Sequence, residues 1–245
     1  MATTYTDYTR RYILPAETSR HIATILGFPS RYSFAPAYYQ DACKEIGNLA
    51  AAISAFEPVR LYARPEDTAN AQSMVSKGVA ELSGNISNIT VVPFRTNHLW
   101  VRDTAPVYVR GTGEYARERF AINFRFNEWG GKIEGDPAWS DDLDWPVMGP
   151  EQLRENTEFA QKVIDSDTSP SPVKRVESKV CLEGGALVVD GEGTLLATES
   201  SILNANRNAG LSRDTIEAEL RRLLGVEKII WFPGKNGLDA TDVHI

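Results

Sequence analysis

The closing residues of the sequence, "GLDATDVHI", hold two carboxylates and an imidazole within six positions: Asp239, Asp242 and His244. Two chemistries suit these groups. They could supply oxygen and nitrogen ligands to a divalent metal ion, or they could form a histidine acid/base catalyst beside a carboxylate. A third interpretation is a polar tail without function, because chain termini often fray. The spacing supports the metal site only weakly, so other residues must separate these interpretations.

Two further carboxylates stand next to apolar segments. Asp103 follows "NHLWVR", and Glu183 lies between "CL" and "GG". Loop aspartates often only cap turns, whereas a glutamate between apolar residues and glycines is less often a plain surface residue, since glycines let a backbone or ligand come close. Trp100 and Trp129 occur in the same kind of segment, where a core position is the simpler explanation for each.

Three carboxylates, a histidine and tryptophan walls would suit a guanidinium ligand if Asp103, Glu183, Asp242 and His244 converge. A guanidinium group is planar and permanently cationic, and it pairs with carboxylates through parallel hydrogen bonds. Hydrolysis at its resonance-stabilised carbon usually needs a thiolate nucleophile and a histidine general acid/base. Carboxylates can stabilise the intermediate, because it keeps positive charge on nitrogen.

The composition is that of an ordinary globular protein, with 245 residues, of which 42% are hydrophobic and 24% charged. The net charge of -7 disfavours a nucleic-acid partner but not a small cationic ligand. Two cysteines are too few for a disulfide framework, and no apolar run has the length of a signal peptide or a membrane span. We therefore expect a single domain over residues 1–245, located in the cytoplasm and without a membrane partner.

Strand and helix patterns alternate along the chain, which predicts the α/β class. The predicted helices are 39–56, 69–84, 150–165 and 212–225, and the predicted strands are 59–64, 88–94, 105–110, 118–126, two within 179–203, and 226–232. Residues 130–150 are rich in glycine, proline and tryptophan and are expected to form a long loop. Strand pairs joined by tight turns favour a repeated strand-strand-helix-strand unit over a purely parallel sheet.

The sequence resembles the agmatine deiminase family, within the wider bacterial-type peptidylarginine deiminase group, from Leu14 to Ile245. The resemblance rests on "LPAETSRHIATILGFP", "WVRDTAP", "FRFNEWGGK", "LEGGALVVDGEGTLLATESSILNANRN", "WFPG" and "DATDVHI", which occur in the family's order. It implies a pentein-type five-bladed α/β propeller, of which this chain would be an incomplete part. It also implies hydrolysis of agmatine to N-carbamoylputrescine and ammonia, a step in putrescine and polyamine biosynthesis, without a metal or cofactor.

The resemblance also implies a role for each matching residue. His244 would be the general acid/base, and Glu183 a catalytic or guanidinium-binding carboxylate. Asp103 would grip the guanidinium, Trp100 would lie beside the substrate, and Trp129 would form a pocket wall. The implied partner is a small cationic guanidino substrate.

The family's nucleophilic cysteine follows a glycine-rich motif, and neither Cys43 nor Cys181 has that context. The family's histidine motif also continues to an aspartate one position beyond Ile245. We therefore expect a C-terminally incomplete chain that is inactive by itself. Because an unclosed propeller exposes strand edges, we also expect it to aggregate or to form a homo-oligomer.

Two alternatives to an agmatine hydrolase stay open. The chain could be a catalytically inactive short form that binds a guanidino or polyamine ligand, or a partner chain. It could also belong to a deiminase of free or peptidyl arginine, because the sequence departs from the agmatine-specific pattern. Val243 stands where the family motif has glycine, and Val188 where many agmatine deiminases have histidine.

Overall fold

A computed structural model describes residues 11–131, 146–167 and 171–245. The strands are β1 (Tyr12–Ile13), β2 (Thr24–Gly27), β3 (Val59–Ala63), β4 (Ile89–Pro93), β5 (Val107–Gly111), β6 (Arg119–Asn123), β7 (Lys174–Glu177), β8 (Val188–Val189), β9 (Thr194–Thr198) and β10 (Lys228–Phe232). The helices are α1 (Pro36–Ser54), α2 (Thr68–Leu82), α3 (Val101–Thr104), α4 (Glu128–Gly131), α5 (Pro150–Asp165), α6 (Glu199–Ile202), α7 (Ala205–Asn208) and α8 (Arg213–Leu224). Most of the predicted loop 130–150 lies outside the described residues.

These strands form three separate sheets. In the first, β2, β3 and β4 are parallel, with α1 and α2 as the connections. The second has the order β1-β5-β6-β7, and the third has the order β10-β9-β8. The architecture is therefore α/β, as the alternating pattern predicts.

The second and third sheets share one topology. In each, an antiparallel strand pair (β5–β6 or β8–β9) is followed by a long helix (α5 or α8) and a strand parallel to the second member of the pair. This is the strand-strand-helix-strand unit that the sequence pattern favours. The first sheet differs, because its three strands are all parallel and each pair is joined through a helix.

Local sequence signals explain why the predicted helices form where they do. The Ser212 hydroxyl accepts a hydrogen bond from the Thr215 backbone N–H, which caps the start of α8. Gly225 ends the helix with a positive φ of 67°, a conformation that glycine adopts without steric cost. The apolar face of α8 packs into the largest core cluster, together with residues of β6 and β9.

The sequence predictions need correction at several strands. β1, β2 and β7 have no counterpart among the predicted strands, because they are only two to four residues long and show no clear alternation. The strand expected to begin near Cys181 is reduced to Val188–Val189, because a 3-10 turn at Gly184–Ala186 interrupts it. That interruption turns the chain at Glu183. In the described ranges, no helix combines the length and apolar character needed to cross a bilayer.

The core of the third sheet can be tested through Leu220, which is fully buried on α8. We expect Leu220→Ala to lower the free energy of unfolding by about 2–5 kcal/mol, because it removes buried methyl groups and leaves a cavity. Leu82→Ala, at the half-exposed end of α2, is the matched control and should cost less than about 1 kcal/mol. Urea unfolding of both variants measures the difference, and equal losses would contradict this description of the core.

Candidate active site

Glu183 is a fully buried carboxylate of the site, with 0% exposure. It lies in the irregular segment before the 3-10 turn Gly184–Ala186. A buried carboxylate is stable only when it is paired and hydrogen-bonded. Its Oε1 accepts a hydrogen bond from Arg207 Nε at 2.7 Å, and its Oε2 lies 3.3 Å from His244 Nε2. Each oxygen of Glu183 therefore has a different partner.

Asp103 occupies the third position of α3, the short helix before β5. Its Oδ1 accepts a hydrogen bond from the Gly185 backbone N–H at 3.0 Å, and its Oδ2 accepts one from Trp129 Nε1 at 3.0 Å. Burial raises the pKa of Asp103, although the nearby His244 and the Trp129 hydrogen bond oppose the rise. The side chain is 10% exposed, so one part of the carboxylate still faces accessible space.

His244 lies between these two carboxylates. Its Nδ1 is 3.9 Å from Asp103 Oδ1, while its Nε2 faces Glu183. Asp103, Glu183 and His244 form a trio in which the imidazole is the most exposed side chain, at 17%. Glu183, at hydrogen-bonding distance, orients the imidazole ring, and Asp103 lies on its other side.

Asp242 reaches this trio only indirectly. It is 0% exposed, and its Oδ2 accepts a hydrogen bond from Arg207 Nη1 at 2.7 Å. The Gly237 backbone N–H donates to its Oδ1 at 2.8 Å. The sequence prediction that Asp103, Glu183 and Asp242 share one pocket therefore needs refinement, because Arg207 separates Asp242 from His244's partners.

Arg207 is the site residue that sequence reasoning missed. It belongs to α7, and its side chain is 0% exposed between Glu183 and Asp242. Burial alone would lower the pKa of Arg207, but the charges of Glu183 and Asp242 raise it above the usual value. The only available signal was its place in "NANRN", within the long block that resembles the family.

The two tryptophans form one side of the site. The Trp100 and Trp129 rings meet edge-on, with centroids 6.0 Å apart, and the His98 ring packs against both. Trp129 is 3% exposed, so it is a core residue that also holds Asp103 through its indole N–H. His98 Nε2 lies 2.7 Å from Glu128 Oε2, a buried pair that the sequence did not reveal.

The glycines after Glu183 permit the close approach that the sequence suggested. A Cβ at Gly185 would lie 2.4 Å from Asp103 Oδ1 and 2.6 Å from His244 Nδ1. A Cβ at Gly184 would lie 2.3 Å from the Arg102 carbonyl oxygen. Only glycine lets this turn bring the three catalytic candidates together.

The metal-site interpretation of the closing segment gains no support. Across residues 11–131, 146–167 and 171–245, no three His, Cys, Asp or Glu side chains are grouped to hold a metal ion. Asp239 serves the local turn instead, because its Oδ1 accepts hydrogen bonds from the backbone N–H groups of Thr241 at 2.7 Å and Val243 at 3.1 Å.

Cys43 and Cys181 are both buried. Burial raises the pKa of Cys43 to about 11. Burial, together with the charge of Glu183, raises the pKa of Cys181 to about 11 as well. The Cys181 thiol donates to the Arg125 carbonyl oxygen at 3.2 Å. Neither environment favours a reactive thiolate.

The chain is similar in sequence to known proteins over almost its whole length. Residues 13–245 match the model of the Porphyromonas-type peptidyl-arginine deiminase family. An agmatine deiminase of Stutzerimonas stutzeri is 35% identical over 249 aligned positions, which cover 99% of this chain and 59% of that protein. One of Medicago truncatula is 33% identical over 238 positions, covering 95% of this chain and 56% of that protein.

A solved structure also shares the fold. The agmatine deiminase of Enterococcus faecalis superimposes with a TM-score of 0.72 at 25% identity, covering 93% of this chain and 54% of that one. The chain thus spans about half the length of the relatives it matches. Since the family model covers almost the whole chain, the chain belongs to the Porphyromonas-type peptidyl-arginine deiminase family.

Proposed function

We propose that this chain carries the acid/base and guanidinium-binding part of a C–N hydrolase that acts on agmatine, releasing N-carbamoylputrescine and ammonia. The observation that carries the proposal is the trio of Asp103, Glu183 and His244, in which His244 lies between the two carboxylates beside two tryptophans. Relatives named agmatine deiminase align with this chain over nearly its whole length, at 33–35% identity.

Each residue of the trio has a defined task in this proposal. The Asp103 carboxylate pairs with the substrate guanidinium while the buried Trp129 holds that carboxylate through the indole N–H. The more exposed Trp100 packs against the substrate's alkyl chain. Glu183 holds the imidazole and stabilises the positive charge that stays on nitrogen in the tetrahedral intermediate. His244 gives its proton to the departing ammonia and then takes one from the attacking water.

The nucleophile is neither Cys43 nor Cys181 in this proposal, because both thiols are buried and their pKa is raised to about 11. A thiolate from elsewhere would attack the guanidinium carbon, form the covalent intermediate and be released by hydrolysis.

We also propose that the three sheets are blades of a five-bladed propeller. The support is the repeated unit of the second and third sheets, which has the same strand order and directions in both. The chain spans 54–59% of the relatives described above, and three sheets are a similar share of five blades.

Agmatine binding tests the guanidinium site directly. Calorimetry on the 245-residue polypeptide should show agmatine binding, and putrescine, which has two amines but no guanidinium, should bind much more weakly. Asp103→Asn should lower agmatine affinity about 30-fold or more, because it removes one partner of a mostly buried charge pair. Asp214→Asn, at an exposed position on α8, is the control. Equal affinity for agmatine and putrescine would contradict the proposed substrate class.

The pH dependence of agmatine binding tests the role of Asp103. Only the ionised form of Asp103 attracts the cation, and burial raises its pKa. Agmatine affinity should therefore fall as the pH drops through this raised value, at higher pH than for an ordinary aspartate. Asp103→Asn should flatten that part of the profile. A wild-type profile that falls only at the pH of an exposed carboxyl group would contradict the role of Asp103.

Gly185→Ala tests the close approach at the centre of the site. Its methyl group would collide with Asp103 and His244, so agmatine affinity should fall at least about tenfold even in a folded variant. Gly149→Ala is the control, because its new Cβ would meet only Gln152 Oε1, at 3.1 Å. Unchanged affinity in Gly185→Ala, with circular dichroism confirming the fold, would show that the trio does not bind the ligand.

The proposed absence of a nucleophile predicts no ammonia release from agmatine by the 245-residue polypeptide. A coupled ammonia assay measures it, with agmatine added well above its binding constant. Turnover that disappears in Cys181→Ala but persists in Cys43→Ala would assign the nucleophile to Cys181 and overturn this part of the proposal.

A further inference from the structure

Arg207 combines complete burial with contacts to two carboxylates. Its Nε donates to Glu183 Oε1 and its Nη1 donates to Asp242 Oδ2, both at 2.7 Å. Its Nη2 also donates to the Thr241 carbonyl oxygen at 3.2 Å. The guanidinium therefore links the segment of Glu183 with the segment that carries His244.

Stability alone is a weak explanation for this arrangement. Buried ion pairs recover their desolvation cost only with good geometry, and apolar replacements of similar volume are often as stable. A buried network of this kind does, however, fix a unique orientation of the groups it joins. The question is therefore which group Arg207 orients.

The contacts of Glu183 answer that question. Because Arg207 holds Oε1, the carboxylate can turn only its Oε2 toward the imidazole, and Oε2 is the atom found 3.3 Å from His244 Nε2. The same guanidinium also contacts Thr241 and Asp242, which lie three and two positions before His244 in the chain. Arg207 thus restrains both the imidazole's partner and the backbone that presents the imidazole.

We propose that Arg207 is a positioning residue of the site: it aligns Glu183 with His244 without contacting the substrate. The inference rests on the proposed function for its effect on agmatine, but the alignment itself is independent of any substrate. The charge of Arg207 does not repel a cationic ligand, because two carboxylates flank it and leave a net charge of -1 for the three groups.

Two variants separate charge from geometry. Arg207→Lys keeps the cation but places all its donors on one nitrogen, and Arg207→Met removes the cation while keeping an unbranched side chain. Both should lower agmatine affinity about 5- to 30-fold, and Arg207→Lys should not restore it. Arg213→Met is the control, since Arg213 is a half-exposed residue of α8 paired with Glu199.

A second readout does not depend on the ligand. The ring carbon and nitrogen NMR signals of His244 in the ligand-free chain should shift or broaden in both Arg207 variants and stay unchanged in Arg213→Met. If wild-type chain binds no agmatine, the proposed function fails, but these signals still decide the role of Arg207. A purely structural role would lower the melting temperature while the His244 signals and the affinity of the folded protein match wild type, and that result would overturn the inference.

Asn206→Ala covers the case in which both Arg207 variants fail to fold. The Asn206 side chain accepts a hydrogen bond from Arg207 Nη1 at 3.1 Å and donates one to Asp242 Oδ2 at 3.2 Å, so its loss loosens the guanidinium without removing a charge. We expect the His244 signals to shift in this variant and agmatine affinity to fall severalfold. Wild-type signals and affinity would overturn the inference.

Discussion

The arrangement of the site depends on one constraint, which is the burial of several carboxylates close together. Like charges in a medium of low polarity repel strongly, and an uncompensated buried carboxylate takes up a proton rather than stay charged. Glu183 and Asp242 are both at 0% exposure, and the guanidinium of Arg207 between them supplies the compensating charge. Asp103 accepts hydrogen bonds from an indole N–H and a backbone N–H instead, with the His244 imidazole 3.9 Å away.

This difference assigns different parts to the carboxylates. Glu183 and Asp242 share the single positive charge of Arg207 and can act as supports for other groups. Burial raises the pKa of Asp103, so a cationic ligand that pairs with its carboxylate would favour the ionised form. His244 lies at the boundary between the two kinds of carboxylate, with one ring nitrogen toward each. In the proposed function, this imidazole faces the ligand on one side while Glu183 holds it from the other.

The sequence predicted the parts of the structure that depend on neighbouring residues. The helix of residues 150–165 and the capped helix α8 were located closely, because periodicity, Ser212 and Gly225 act locally. Asp103, Glu183 and His244 were identified through residue type and family resemblance. Arg207 was not, because its partners lie 24 residues before it and 35 after it, and those distances close only in the folded chain. The buried pair of His98 and Glu128 was missed for the same reason.

The backbone before His244 is strained. Asp242 and Val243 have positive φ values of 59° and 68°. Aspartate tolerates this region, but a β-branched residue does so only under strain of about 1–3 kcal/mol. The position of Val243 is the one at which the resembling family has glycine. The strain persists because several bonds hold the turn at once: the backbone N–H of Val243 donates to Asp239, its carbonyl oxygen accepts from Thr198, and Arg207 holds Asp242. One of these contacts, Arg207 with Asp242, also compensates a buried carboxylate. The pairing of the buried charges and the placement of the imidazole are therefore coupled in this turn.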